Sequence, residues 1–251
     1  MSAGPAVRML FPDRGDDVDV AAVYADMPVA AGRPSVRCNM IGSVDGGTSW
    51  NGVSGALGGP ADKQLFGVLR ALADVVLVAS GTMRAEHYGP SVLPAAEKQA
   101  RLDRGQTAVP PIAVVSASCA FDWSSAFFAD ATERPVIVTV AEADEDRRRA
   151  AARVADVVIA GDTNVDMDRA VRALGERGAA TILAEGGPTL NGQLAQARLL
   201  DELCLTLAPL LASGDAKRIV SGSPLAELEP LRLVSLCQAD DYLFFRYRPA
   251  V

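Results

Sequence analysis

Two rhythms of apolar residues alternate along the chain. From Ser35 it reads Ser-Val-Arg-Cys-Asn-Met-Ile-Gly-Ser, an alternation with enough apolar content for a strand buried on one or both faces. Asp45-Gly46 then signals a turn. Gly52, Gly55, Gly58 and Gly59 make the following stretch either a lid over a site or a long turn. In residues 60–72 the apolar positions Leu65, Phe66, Leu69 and Leu72 fall at helical spacing, with Asp62 in the first turn, where the helix dipole favours an acid. Residues 74–79 are a continuous apolar run, as expected of a parallel strand covered on both faces. A turn of small residues at 80–86 follows and opens a short helix.

The alternation continues. Residues 88–110 are polar and marked by prolines, a surface excursion. Strands at 111–116 and 135–139 flank a connection holding Trp123, Phe127 and Phe128. Helix 144–153, strand 156–160 and helix 166–177 lead into a strand at 181–184 and a helix from 187 to 197. After that the pattern is strand-like at 202–209, 217–221, 231–238 and 242–248, the last two joined by a hairpin-length connection. The first 34 residues read as an arm with a short helix around 20–24, and residues 35–251 as one domain. The fold class is therefore α/β: a mostly parallel sheet with helices on both faces and an antiparallel C-terminal edge. Ligands of such sheets collect beyond the carboxyl ends of the strands, where the glycine-bearing turns after Met40, Val78 and Leu183 fall.

Composition narrows the function. A net charge of -7 excludes general binding to nucleic acid or to anionic membranes. Four widely spaced cysteines without Cys-x-x-Cys spacing read as buried thiols. With no secretory leader and no long apolar run, the expected location is cytoplasmic. One histidine, His87, leaves no His-based metal centre or hydrolase triad, so no metal is expected. The run Arg147-Arg148-Arg149 reads as a solvated helix face.

The chemistry concentrates at Glu185-Gly186-Gly187-Pro188-Thr189-Leu190, where a strand passes through an acid and two glycines into a helix. Glycines let a ligand approach the backbone, Pro188 suits the first helical turn, and the free N–H groups of that turn favour an anion such as a phosphate.

In order and spacing, Ser43-Val44-Asp45-Gly46, Leu69-Arg70-Ala71, Ala73-Asp74-Val75-Val76-Leu77-Val78, Gly81-Thr82, residues 185–190, Asp201-Glu202-Leu203 and Ala208-Pro209-Leu210-Leu211 resemble the pyrimidine reductases of riboflavin biosynthesis. The resemblance implies a dihydrofolate-reductase-like three-layer α/β/α fold, NADPH as cofactor, a small-molecule pyrimidine ribosylamine phosphate as substrate, and a homodimer. It implies backbone contacts to the nicotinamide from Gly42 and Ser43, and cofactor contacts from Gly81, Thr82 and Glu86. Gly186, Gly187, Pro188, Thr189 and Leu190 correspond to the pyrophosphate loop. Ser54, Arg70 and Glu185 correspond to substrate contacts. Ser116, at a strand end, is placed to meet a 2′-phosphate. Basic residues that hold the ribose phosphate in the family are absent after Thr82, where the chain reads Tyr88-Gly89-Pro90-Ser91-Val92-Leu93. The His-x-Glu and Pro-Cys-x-x-Cys motifs of the bifunctional members are also absent, which implies a stand-alone reductase.

Pro60-Ala61-Asp62-x-x-x-Phe66 also resembles the stretch of bacterial dihydrofolate reductases whose aspartate holds the pterin. A carboxylate accepts two hydrogen bonds from an amidine-like edge, present in pterins and in diaminopyrimidinones. The catalytic candidates are thus Asp45 and Glu185, to orient the sugar or favour its iminium form, and Asp62, to hold the ring. Dihydrofolate reduction, reduction of another imine and non-enzymatic NADP binding remain as alternatives.

Overall fold

The computed structural model describes residues 5–250. A ten-stranded sheet is formed by β1 (Arg8–Phe11), β2 (Ser35–Ser43), β3 (Val75–Ala79), β4 (Ile112–Val115), β5 (Val136–Thr139), β6 (Asp156–Ile159), β7 (Thr181–Ala184), β8 (Leu200–Ala208), β9 (Leu231–Ala239) and β10 (Tyr242–Pro249). Its spatial order is β1-β9-β10-β8-β2-β7-β3-β4-β5-β6. From β8 through β6 neighbours run parallel, while β10, β9 and β1 pair antiparallel. This is the dihydrofolate-reductase-like α/β/α class that the sequence implies.

Helices cover both faces because the central strands are apolar on both sides. Along β3, Val76 and Val78 join one core cluster, which takes in Leu65 and Leu69 of α2 (Pro60–Leu72), while Val75 and Leu77 join another with α7 (Met167–Glu176) and α8 (Pro188–Gln196). The remaining helices are α1 (Val20–Ala25), α3 (Ser80–Ala85), α4 (Ala95–Asp103), α5 (Ala126–Ala129) and α6 (Glu145–Val154).

Three expectations need correcting. Residues 88–110 contain α4, whose sequence Ala-Ala-Glu-Lys-Gln-Ala-Arg-Leu-Asp has no apolar stripe to announce it. It is held instead by Arg101, fully buried, whose guanidinium caps α2 by donating to the carbonyls of Ala71 at 3.1 Å and Ala73 at 2.5 Å. Residues 217–221 form no strand: Asn191 of α8 donates to the Ile219 carbonyl at 2.9 Å and Ser221 N–H donates to the Pro188 carbonyl, so the backbone bonds to a helix rather than to the sheet. The arm contributes β1, which extends the sheet by pairing Arg8 with Gln238 on β9.

One buried charge cluster anchors the arm. Glu202 on β8, fully buried, accepts from Arg37 of β2 at 2.7 Å and from Arg246 and Arg248 of β10 at 2.8 and 2.9 Å. Arg37 also donates to the Tyr24 carbonyl, and Arg246 to those of Val23 and Asp26. Burial works against the Glu202 charge, but the arginines outweigh it and hold the carboxyl below its ordinary value.

Candidate active site

Beyond the carboxyl ends of β2, β3 and β7 lies a cavity of about 810 Å³. β7 is inserted between β2 and β3, although it follows them by more than a hundred residues in the chain, so three distant turns meet there. α2 presents Asp62, Lys63, Phe66 and Arg70 to the cavity. That spacing of one to eight residues is a single helical stripe about 12 Å long.

At one end of the stripe Arg70 forms a fork with Glu185, Nε to Oε1 and Nη2 to Oε2, each 2.7 Å. Tyr88 donates its hydroxyl to Glu185 Oε2 at 2.7 Å. The Arg70 guanidinium lies 4.4 Å from the Phe66 ring centroid and 5.4 Å from that of Tyr88, so rings and fork fix it together. Burial opposes the Arg70 charge, but Glu185 outweighs it and the guanidinium is held above its ordinary value. Burial first, then the Glu185 carboxylate, pushes the Tyr88 hydroxyl well above the usual tyrosine range. Both groups stay protonated, and Arg70 and Glu185 make a neutral pair. The sequence did not mark Tyr88; its partners lie 18 residues behind it and 97 ahead.

At the other end stands Asp62, whose carboxyl is raised by burial. Gly58 is packed against it: a Cβ there would lie 2.7 Å from Asp62 Oδ2. Tyr242 donates to the Leu57 carbonyl at 3.0 Å and covers Gly59. Glu86 accepts from the N–H of Ser54 at 2.5 Å and of Gly55 at 3.4 Å. The glycine-rich stretch is thus pinned along the cavity, with Ser54 and Glu86 both on its wall.

The third wall is the start of α8. Gly187 occupies the N-cap position and no side chain caps the helix, whereas α6 and α7 are capped by Asp144 and Asp166. Gly186 has φ +88°, and a Cβ on Gly187 would lie 2.5 Å from Thr82 Oγ1. Two glycines are therefore required here: one for its backbone conformation, one for the approach of α3. Gly81, Thr82, Gly187, Pro188, Thr189 and Leu190 all line the cavity. The open helix start and the glycine cradle fit the pyrophosphate of a dinucleotide.

Other predicted positions lie elsewhere. Gly42 and Ser43 are buried beneath the turn after β2. Ser43 Oγ donates to Asp45 Oδ1 at 2.6 Å, and Asp45 also accepts from Ala212 N at 3.0 Å and Ser213 N at 2.7 Å. The Ser43 hydrogen bond, then those from Ala212 and Ser213, lower the Asp45 carboxyl to about 2. Asp45 is committed as an anion to holding the 212–213 segment and is not on the cavity wall. Ser116 is buried at the end of β4 and also off the wall. Two cations that the sequence did not single out do reach the cavity, Lys63 and Lys217. Thr48 fixes Lys217 through its carbonyl, accepting from Thr48 Oγ1 at 2.8 Å. Among the described residues no cluster could hold a metal, and no helix is long and apolar enough to cross a membrane.

A mixed sheet of this topology, with an uncapped glycine-cradled helix start facing an acid on the first covering helix, defines a dihydrofolate-reductase-like oxidoreductase. The RibD C-terminal domain family model matches residues 34–244, and the chain belongs to that family. It is 27% identical over 193 residues to an Archaeoglobus fulgidus protein named 2,5-diamino-6-ribosylamino-4(3H)-pyrimidinone 5′-phosphate reductase, covering 76% of this chain and 87% of that one. A protein of the same name from Methanothermobacter thermautotrophicus is 28% identical over 198 residues, 78% of this chain and 88% of its own. A solved pyrimidine reductase-like protein from Corynebacterium diphtheriae matches with a TM-score of 0.82 at 28% identity, over 93% of this chain and 100% of its own. The chain is thus an enzyme, an oxidoreductase of the riboflavin-biosynthesis pyrimidine reductase type, and the non-enzymatic reading falls. Membership in a reductase family implies a nicotinamide cofactor.

Proposed function

We propose that the protein uses NADPH to reduce 2,5-diamino-6-ribosylamino-4(3H)-pyrimidinone 5′-phosphate, or 5-amino-6-(5-phosphoribosylamino)uracil, to the ribitylamino product. The observation that carries this reading is the single cavity joining Asp62 to the glycine-cradled start of α8. NADPH, when bound, supplies the hydride that adds to C1 of the sugar in its open imine form. Gly186 to Leu190, with Gly81 and Thr82 opposite, hold its pyrophosphate. Asp62 accepts from the amidine-like edge of the ring and so fixes its orientation. Arg70, Glu185 and Tyr88 form a preset polar wall for the sugar, and Ser54 lines the path over it. Lys63 and Lys217 supply the positive charge for the phosphate that the chain lacks after Thr82.

The protein acts in the cytoplasm as a homodimer. Supporting the dimer, β8, β10 and β9 align Leu205, Phe245 and Leu236 across one sheet face, with Leu207, Leu243 and Tyr247 beside them. All are half-buried, and none joins either large core cluster. A second copy of the chain covers this face.

Dihydrofolate is the second reading, favoured by Asp62 and by the commitment of Arg70 to Glu185. The test is loss of NADPH absorbance with the diaminopyrimidinone, the uracil compound and dihydrofolate offered side by side. Turnover of a phosphorylated riboside alone supports the first reading. Comparable or better turnover of dihydrofolate replaces it with the second.

A further inference from the structure

Arg101 on α4 is the largest fully buried side chain, and among the described residues no carboxylate forms a salt bridge with it. Burial pushes its guanidinium down to about 10, so it remains charged at neutral pH. A buried charge of this kind costs stability unless its hydrogen bonds compensate. All of its bonds go to backbone carbonyls. Nε donates to Thr107 at 2.9 Å, and Nη1 donates to three carbonyls at the end of α2, those of Arg70 at 3.3 Å, Ala71 at 3.1 Å and Ala73 at 2.5 Å. Nη2 is buried with no partner among the described residues. The guanidinium is thus turned toward the end of α2 although one of its own nitrogens goes unpaired.

Helix capping alone does not account for it. Cations suit the negative end of a helix, and the end of α2 has other partners: Arg104 donates to the Ala71 carbonyl at 2.8 Å and Gln106 to that of Leu72 at 3.5 Å, both from less buried positions. Among the side chains at this helix end only Arg101 reaches the carbonyl of Arg70, the residue whose side chain forks onto Glu185. Arg70 is therefore held at both ends, its backbone by Arg101 and its guanidinium by Glu185, Phe66 and Tyr88. A long side chain moves with its Cα, so a shift of the last turn of α2 carries the fork with it, and misplacement by about 1 Å at a site is costly.

We propose that Arg101 is a positioning residue: by clamping the last turn of α2 it aims Arg70 at Glu185 and Tyr88, and so presets the polar wall of the cavity. This rests on the reading of that wall as part of a reductase site, and it extends the site to α4, none of whose residues lies on the cavity wall.

Arg101→Met keeps the apolar stem and removes the guanidinium, while Arg101→Lys keeps a cation with fewer directions in which to donate. Arg104→Ala is the control: it removes a bond to the Ala71 carbonyl and leaves the one to Arg70 in place. The first readout needs no substrate. It is hydrogen exchange at the Arg70 Nε–H, followed by heteronuclear NMR and assigned by the loss of the signal in Arg70→Lys. The Arg37 Nε–H, bound to Glu202 at 2.7 Å, is the internal reference. Exchange at Arg70 is expected to be about tenfold or more faster in Arg101→Met and accelerated to a smaller degree in Arg101→Lys, while Arg37 in both, and Arg70 in Arg104→Ala, stay within about twofold of wild type. Unchanged exchange at Arg70, or equal acceleration at Arg37, means a general structural role and overturns the proposal. If Arg101→Met does not fold, Arg101→Lys decides by the same two comparisons. The second readout is kcat/KM for whichever of the three candidate substrates the wild type reduces. The Arg101 variant is expected to lower it about fivefold or more in the wild-type background and less than about twofold in Arg70→Lys, because a residue that acts through Arg70 then has nothing left to position. Equal losses in the two backgrounds overturn the proposal. Were wild type to reduce none of the three, the functional reading would fail, while the exchange comparison would still decide whether Arg101 places Arg70.

Discussion

On the proposed reading of the cavity, Asp62 serves function against stability. Its carboxyl is raised by burial, so its charged form is disfavoured in the folded protein. The folded pKa lies above the unfolded value of about 3.9, so ionisation costs stability at neutral pH and the cost disappears as pH falls below about 3.9. Asp62→Asn is therefore expected to raise Tm at pH 7 by a few degrees, about 1 kcal/mol, with the gain lost in acid. The same change removes an acceptor for two N–H groups and lowers kcat/KM on a 2-amino substrate by about 10–100-fold. Calorimetry at pH 7 and pH 3 with steady-state kinetics checks both. A variant less stable at pH 7, or unchanged in kcat/KM, removes the ring-holding role. Tyr88 was not legible in the sequence for a physical reason: its value lies in the neutral Arg70–Glu185 pair it completes, and such a pair exists only once β7 lies beside β3.

Among the elements, the start of α8 was legible because its chemistry is local. Two glycines, a proline and the absence of a capping side chain are all properties of consecutive residues. What closes around it is not local, since Thr82 sits against Gly187 only because α3 and α8 leave neighbouring strands. Gly187→Ala is expected to force Thr82 aside and weaken NADPH binding about tenfold or more, roughly 1.4 kcal/mol, with little change in far-UV dichroism. Fluorescence titration checks it, and unaltered affinity would show that the cradle carries no pyrophosphate. α4 and residues 217–221 were misread because hydrophobic pattern is the signal for secondary structure, and here it misleads in both directions. α4 is polar and held by arginine-to-carbonyl bonds, while the apolar Ile219 and Val220 lie in a coil bonded to α8.

Across the whole molecule, Glu202 couples the arm to the sheet. Its carboxyl is held below the ordinary range, so its contribution is present above the unfolded value of about 4.3 and lost as pH falls through the lower folded one. Glu202→Gln leaves three arginines facing an uncharged group and is expected to cost about 3–5 kcal/mol at pH 7. The gap from wild type narrows in acid, which denaturant titrations at two pH values measure. Equal stability of the two proteins at pH 7 would show the cluster to be dispensable. The open face of β8, β9 and β10 makes a separate prediction: Phe245→Asp yields monomers in sedimentation velocity, where wild type sediments as a dimer. A monomeric wild type overturns the dimer itself.

The sequence by itself determined most of the order of strand and helix, the parallel sheet with its antiparallel edge, and the position of the glycine turn that opens α8. Each of these follows from apolar period and from backbone chemistry within ten or so residues. Only the tertiary structure decided which residues meet. Placing β7 between β2 and β3 pairs Arg70 with Glu185 and Tyr88, while the pairing of β8 with β2 commits Asp45 to the 212–213 segment instead of the cavity. These outcomes depend on hydrogen-bond partners tens to more than a hundred residues apart. A side chain's type states what it is able to bond, and the fold states what is left for it to bond.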